Sequence, residues 1–232
     1  CACLVGSEMC IRDRSIALLD SCKKTELYYS CNREIDHWVR ENINNISKIT
    51  REDFLAYRND VDRQKAIYAA LSPEQKTHLW KAKIEDVLSL SWSEKERMHI
   101  ASLLTIIDTS PFFFDPSLQD KYENEIDIIS YKWVSFAQEE LKWQNEIYAI
   151  AMTLNPISRL DEQLIVDESH LDTIKSTKTR SEVLACSCHT TSGITNGACT
   201  SGYKCVTGNC EEVRNCGVLG ASKCIGICTE SN

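Results

Sequence analysis

Apolar side chains recur at helical spacing from about residue 33 to residue 154, and capping signals divide this part of the chain. A first segment at about 33–46 is followed by segments that begin at Thr50-Arg-Glu-Asp53, Ser72-Pro-Glu-Gln75 and Ser91-Trp-Ser-Glu94. A Ser or Thr before a helix accepts a backbone N–H, and an acidic residue or Gln three positions later can close a capping box. The pattern therefore predicts a mainly α-helical domain over residues 32–156.

The last helix of this array is predicted to be the longest. Asp115-Pro116 is typical of a helix start, and Asn155-Pro156 ends the helix at about Leu154. At 1.5 Å per residue it would be about 60 Å long, which exceeds the width of a compact domain of this size. The shorter helices are expected to pack on its apolar stripe, formed by Ile126, Ile129, Trp133, Phe136, Ile147, Ala151 and Leu154.

Three consecutive aromatic residues, Phe112 to Phe114, interrupt the helical pattern after Pro111. In a chain of this kind such a run most often forms a loop that fills one end of the helical core. An exposed partner site is the alternative.

Residues 157–185 change character, because Asp, Glu, Ser, Thr and Lys predominate and apolar positions such as Leu164 and Ile165 are scattered. This composition favours an extended, partly ordered connector. The stretch from Lys175 to Arg180 is expected to be exposed and open to proteolysis.

The C-terminal segment, residues 186–232, contains eight cysteines but too few large apolar residues for a hydrophobic core of its own. Disulfides are therefore expected to replace the core, with a connectivity that the sequence leaves open. Zinc is the alternative, but the cysteine spacings contain no repeated short pair, and His189 reads as a surface residue in a polar turn. We predict no metal and no cofactor.

The N-terminal segment, residues 1–31, begins at Cys1 and resembles a processed bacterial lipoprotein, in which this cysteine carries the lipid. An arbitrary chain boundary is the alternative. Of the 13 cysteines, 12 remain after Cys1, and both groups of them are even in number. The predicted disulfide cysteines are Cys3, Cys10, Cys22 and Cys31 in the first group, and Cys186, Cys188, Cys199, Cys205, Cys210, Cys216, Cys224 and Cys228 in the second.

Several classes of function are disfavoured by the composition. The net charge is −8 without a basic cluster, which argues against nucleic-acid binding, and no apolar run approaches the length of a transmembrane helix. The sequence has no phosphate-binding glycine loop, no Gly-x-Ser-x-Gly motif, no Cys-x-x-Cys pair and no metal-spaced histidine pair. We therefore predict that the protein is not an enzyme.

The cysteine motifs carry one family resemblance. The run from Ala185 through Cys186-Ser-Cys188 to Ser192, the run Cys216-Gly-Val-Leu-Gly220 and a last cysteine pair are similar to the Cys-rich region of bacteriocin fulvocin C-related proteins. The resemblance implies a helical region followed by this tail in a bacteriocin-related protein. The last pair is spaced more widely than in the family, so its disulfide pairing is not carried over.

Two functions follow from these observations. The first is a non-catalytic lipoprotein of the cell envelope, held in the membrane through lipid on Cys1, whose tail binds a protein partner in the envelope or outer membrane. The second is a bacteriocin precursor that releases the tail as a membrane-active peptide. The first is favoured because acidic residues offset the tail's basic ones, whereas a peptide that inserts into anionic membranes is cationic and amphipathic.

The predicted binding surface consists of the apolar residues of the tail, which are Tyr203, Val206, Val218, Leu219, Ile225 and Ile227. Packing of these side chains against the helices, as a cap, is the alternative. Asp172-Thr173-Ile174 is similar to the O-glycosylation sequon of Bacteroidetes lipoproteins, which makes Thr173 a candidate glycosylation site. The expected location is the outer membrane, on its periplasmic or its surface leaflet.

Overall fold

The computed structural model describes residues 29–30, 32–160, 163–166, 203–207 and 213–230. The chain is mainly helical there, as predicted, and a small strand region follows the helices. The helices are Arg33–Glu41 (α1), Ile43–Ile46 (α2), Arg51–Leu55 (α3), Val61–Ala70 (α4), Pro73–Leu88 (α5), Glu94–Thr109 (α6), Pro116–Gln119 (α7), Glu123–Glu140 (α8) and Asn145–Ala151 (α9).

Capping boxes start three of these helices. Thr50 caps α3 and Ser72 caps α5, each with reciprocal hydrogen bonds to the third helical residue. The third box was predicted at Ser91, but the structure places it two residues later, where Ser93 accepts the N–H of Glu96 and the Glu96 carboxylate accepts the N–H of Ser93 at 2.8 Å. The sequence therefore predicted the capping box before α6 correctly, but placed it two residues too early.

The single long helix predicted from residue 116 to residue 154 is wrong, because α7, α8 and α9 replace it. The sharpest break lies between α8 and α9, where Lys142 has a left-handed φ of 61°. There the buried Trp143 turns back and donates its backbone N–H to the Ala137 carbonyl at 3.0 Å. The predicted apolar stripe is consequently divided between α8 and α9, and α8 itself is about 27 Å long.

The aromatic run after α6 fills the core, as predicted. Pro111–Phe113 forms one turn of 3₁₀ helix, and Phe113 and Phe114 are almost completely buried. The Gln119 side chain donates to the Phe113 carbonyl at 2.6 Å, which satisfies a buried backbone oxygen.

The strands pair as three short antiparallel ribbons. They are Ile157–Leu160 (β1) with Gln163–Val166 (β2), Tyr203–Thr207 (β3) with Gly226–Glu230 (β6), and Val213–Cys216 (β4) with Ser222–Cys224 (β5). The β1–β2 hairpin lies at the start of the region predicted to be an extended, partly ordered connector. The rest of that connector lies outside the described residues.

One hydrophobic core includes residues from the helices and from the C-terminal strand region. Its helical members range from Val39 on α1 to Ala151 on α9, and the 217–221 loop between β4 and β5 adds Val218, Leu219 and Ala221. Within the described ranges, no helix is long and apolar enough to cross a membrane.

Candidate functional site

The candidate site is the described C-terminal strand region, residues 203–207 and 213–230, hereafter the stapled segment. Strands β4 and β5 pair in antiparallel register, with Val213 opposite Cys224 and Arg214 opposite Lys223. A disulfide joins Cys216 to Cys224 across this ribbon, and their Cα atoms lie 5.1 Å apart. Both cysteines are buried, with exposed fractions of 6% and 3%.

Left-handed backbone angles shape the 217–221 loop. Gly217, Leu219 and Gly220 have φ values of 72°, 56° and 66°. A Cβ on Gly217 would lie 2.7 Å from the Ser222 hydroxyl oxygen, so only glycine fits there. Leu219 pays about 1–2 kcal/mol for its left-handed conformation, while complete burial of a leucine contributes about 1.5–3 kcal/mol. Burial in the helical core therefore offsets the conformational cost at Leu219.

Two acidic side chains of the helical part hold the end of this loop. Lys223 Nζ lies 3.2 Å from Glu123 Oε1, on the first residue of α8, and 3.4 Å from Asp120 Oδ1. Burial lowers the pKa of Lys223, but the two carboxylates outweigh burial and raise it above its usual value. The loop is thus anchored by apolar packing at its tip and by ion pairs at its exit.

The β3–β6 ribbon is the exposed part of the stapled segment. Its register places Cys205 opposite Cys228 and Val206 opposite Ile227, and Cys205 is disulfide-bonded. A Cβ on Gly226 would lie 2.6 Å from the Val206 carbonyl oxygen and 2.8 Å from Cys205 Sγ, so the close approach of the strands requires glycine there. Val206 is 44% exposed, and its exposed polar neighbours are Lys204, Thr207 and Thr229.

The predicted binding surface is divided by the structure. The prediction that Val218 and Leu219 are exposed is wrong, because both side chains lie in the helical core. Val206 is exposed, whereas Ile225 and Ile227 are half-buried. The alternative prediction, that these side chains pack against the helices, is therefore correct for the 217–221 loop. The prediction of exposure is correct for Val206 of the β3–β6 ribbon. The Tyr203 side chain lies outside the described residues.

The predicted disulfide cysteines are described only in part. Cys216 and Cys224 form a disulfide with each other, and Cys205 is disulfide-bonded. The lipid site Cys1 and the glycosylation site Thr173 lie outside the described residues. The same holds for Cys3, Cys10, Cys22, Cys31, Cys186, Cys188, Cys199, Cys210 and the side chain of Cys228.

A second cluster, which the sequence reasoning missed, surrounds His99 on α6. Its imidazole stacks on Trp133 and Phe136 of α8, with ring centroids 4.5 and 4.7 Å away. The Nε2 atom is buried and finds no hydrogen-bond partner among the described residues. Burial lowers the pKa of His99 from 6.5 to about 4, so the ring is neutral at pH 7. A histidine inside the apolar face of α6 was the available sequence signal.

Next to this cluster lies a cleft of about 800 Å³, lined by residues 90–93, 95–96, 140–141 and Arg159. Its charges pair with one another. The Arg159 guanidinium lies 4.4 Å from the Trp92 ring centroid and 3.8 Å from a Glu96 oxygen, while Lys95 Nζ contacts a Glu140 carboxylate oxygen at 2.8 Å. The charged side chains that line the cleft are therefore engaged with one another. Their role is to hold the surrounding elements together.

Two buried basic side chains, Lys83 and Arg51, were also not predicted from the sequence. Lys83 of α5 is fully buried and donates to the Asn155 carbonyl at 2.5 Å, and Arg51 donates to the Leu154 carbonyl at 3.0 Å and pairs with Asp86. Burial, and then the nearby Arg51, lower the pKa of Lys83 to about 7. These side chains satisfy carbonyls where the chain leaves α9, which is a structural role.

Among the described residues, no three His, Cys, Asp or Glu side chains are grouped so that they could hold a metal ion. The exposed β3–β6 ribbon, which is connected to the buried 217–221 loop, is thus the candidate binding surface. No protein-family model, curated protein or solved structure matches this chain.

Proposed function

We propose that the protein is a non-catalytic binding protein of the cell envelope, in which the β3–β6 ribbon contacts a protein partner. One observation carries the proposal: the loop of the stapled segment is fixed in the helical core while the ribbon of the same segment is exposed. The helical part then serves as a rigid support for a small recognition surface.

The cysteine chemistry supports a location outside the reducing cytoplasm. The Cys216–Cys224 disulfide and the disulfide at Cys205 both belong to the stapled segment. Structural disulfides persist in the periplasm and on cell surfaces and are rare in the cytosol.

The rigidity of the ribbon supports binding. The close approach at Gly226 and the disulfide at Cys205 restrict the ribbon before any partner arrives. Groups that are already ordered lose little entropy on association, so a small surface retains more of its contact energy. Val206, flanked by exposed Lys204 and Thr207, supplies an apolar contact with polar neighbours.

The burial of Val218 and Leu219 weighs against the alternative of a membrane-active peptide. These two residues are among the few large apolar side chains of the tail, and in the folded chain both lie in the helical core. A peptide that inserts into a bilayer needs an exposed apolar face. The folded chain therefore fits a binding protein better than it fits a peptide-like toxin.

Photocrosslinking tests the proposal. A photoreactive amino acid placed at Val206 of the full, oxidised chain is expected to capture a defined protein from an envelope extract. Met98 on α6 is 59% exposed and apolar but lies outside the stapled segment, so the same probe there is the matched control. Capture of the same proteins at both positions, or of none at Val206, would refute the ribbon as the recognition surface. Leakage of anionic vesicles caused by the intact chain would favour the toxin instead.

A further inference from the structure

The 217–221 loop is closed by a disulfide that its own docking buries. Cys216 and Cys224 lie at the two ends of the loop, and Val218, Leu219 and Ala221 between them pack into the helical core. A dithiol reductant cannot reach a disulfide with so little exposed surface while the loop is docked.

We propose that the surface formed by the edge of the helical core, with Asp120 and Glu123, is a receptor for this disulfide-closed loop, and that docking controls access of thiol reductants to the Cys216–Cys224 disulfide. The occupant is the loop itself, an apolar tip followed by the cation Lys223. This inference concerns how the stapled segment is held and does not rest on the proposed function of its ribbon.

The geometry matches the oxidised form of the loop. Three left-handed residues, Gly217, Leu219 and Gly220, turn the chain within the eight positions that separate the two cysteines. The disulfide restricts the loop to conformations near this one before it docks, and such preorganisation lowers the entropic cost of docking. After reduction, the open loop loses more conformational entropy when it docks. The left-handed conformation of Leu219 is then less populated before docking.

The redox step is a thiol–disulfide exchange. A thiolate of the dithiol reductant attacks one sulfur of the Cys216–Cys224 pair, and the other sulfur leaves as a thiolate. The second thiol of the reductant then attacks the mixed disulfide and closes the reductant's own disulfide. Two electrons pass from the reductant to the protein, and the two cysteine thiolates take up protons.

The rate of this exchange in the full chain reports docking. If reduction requires undocking, the observed rate equals the intrinsic rate multiplied by the undocked fraction. Dithiothreitol is added to the folded chain, free thiols are alkylated at intervals, and peptides that contain Cys216 and Cys224 are followed by mass spectrometry. The synthetic oxidised peptide of residues 213–226 gives the intrinsic rate.

Leu219→Ala should accelerate reduction about 30-fold or more, because truncation of a fully buried leucine destabilises its packing strongly. Val206→Ala, in the same segment but at an exposed site, should change the rate less than about threefold. Helical circular dichroism before the addition of reductant verifies that each variant is folded.

A second variant keeps the test decisive if Leu219→Ala does not fold. Lys223→Gln removes the ion pairs to Asp120 and Glu123, so reduction should accelerate by about two- to fivefold at low salt, and added salt should abolish the difference. The inference is overturned if the folded wild-type chain is reduced as fast as the peptide. It is also overturned if neither the Leu219 nor the Lys223 substitution changes the rate.

Discussion

Protonation of His99 should destabilise the folded protein, because its imidazole ring is buried in an aromatic stack. Trp133 and Phe136 cover the ring, and Nε2 has no hydrogen-bond partner among the described residues. Lys95 on the same helix lies 5.5 Å from the Phe136 ring centroid, and Glu96 accepts a hydrogen bond from Trp143 at 3.3 Å. Burial therefore disfavours the charged ring, and the pKa of His99 falls to about 4.

The sign and size of the effect follow from this pKa. In the unfolded chain His99 takes up a proton near pH 6.5, whereas in the folded chain it does so only near pH 4. The stabilisation is complete above pH 6.5 and is lost as the pH falls towards 4, because only the unfolded state binds the proton in that window. The loss in the free energy of unfolding should be about 1 kcal/mol at pH 5.5 and about 2–3 kcal/mol at pH 4.5.

Urea unfolding of the wild type and His99→Phe, followed by helical circular dichroism across this pH range, measures the effect. Phenylalanine preserves the stacked ring and removes the unpaired nitrogen, so the variant should be at least as stable at pH 7. Carboxylates such as Glu96 and Glu140, whose pKa values are also lowered, affect both proteins and cancel in the difference.

The control is Val206→Ala, because this substitution at an exposed site removes no titratable group and should leave the slope between pH 6.5 and 4.5 unchanged. If His99→Phe shows the same slope as the wild type, the imidazole is solvated or partnered in the folded state, and the reasoning from its burial is wrong.

Three further predictions concern stability. The free energy of unfolding of the wild type should rise between pH 7 and 9, because the pKa of Lys83 is lowered to about 7 in the folded chain. In that range Lys83 is protonated in the unfolded chain but largely neutral in the folded chain. Lys83→Met should flatten the rise, as measured by urea unfolding. At Leu219, glycine should be at least as stable as alanine in thermal unfolding, which reverses their usual order, because φ is 56°. Replacement of both Cys216 and Cys224 by alanine should cost about 2–3 kcal/mol for this short loop, measured by urea unfolding under non-reducing conditions.

The helical class and most helix starts could be predicted because they depend on neighbours in sequence. Ser72 and Gln75 cap each other within one turn, and that pairing is visible as a local motif. The break after α8 could not be predicted in this way. No glycine or proline marks it, and Lys142 adopts its left-handed angle where the buried Trp143 folds back on Ala137. Tertiary packing overrides helix propensity at that point.

The candidate site was predicted only in part for the same reason. The cysteine density correctly indicated disulfides at Cys216 and Cys224. Leu219, however, is buried in a core formed mainly by the helices, and Lys223 of the same region pairs with Glu123, a hundred positions earlier. A polar, glycine-rich stretch cannot form a core alone, yet two apolar residues in it can complete the core of another region.

The docked loop also imposes an order on biosynthesis. Leu219 follows the end of α9 by almost 70 residues, so a ribosome adding about 5–20 residues per second completes the helices roughly 3–14 s before the loop exists. During that interval the receptor surface for Val218 and Leu219 is an uncovered apolar patch on the nascent chain. Folding of the helical part is therefore completed only after the synthesis of a segment that lies almost 70 residues further along the chain.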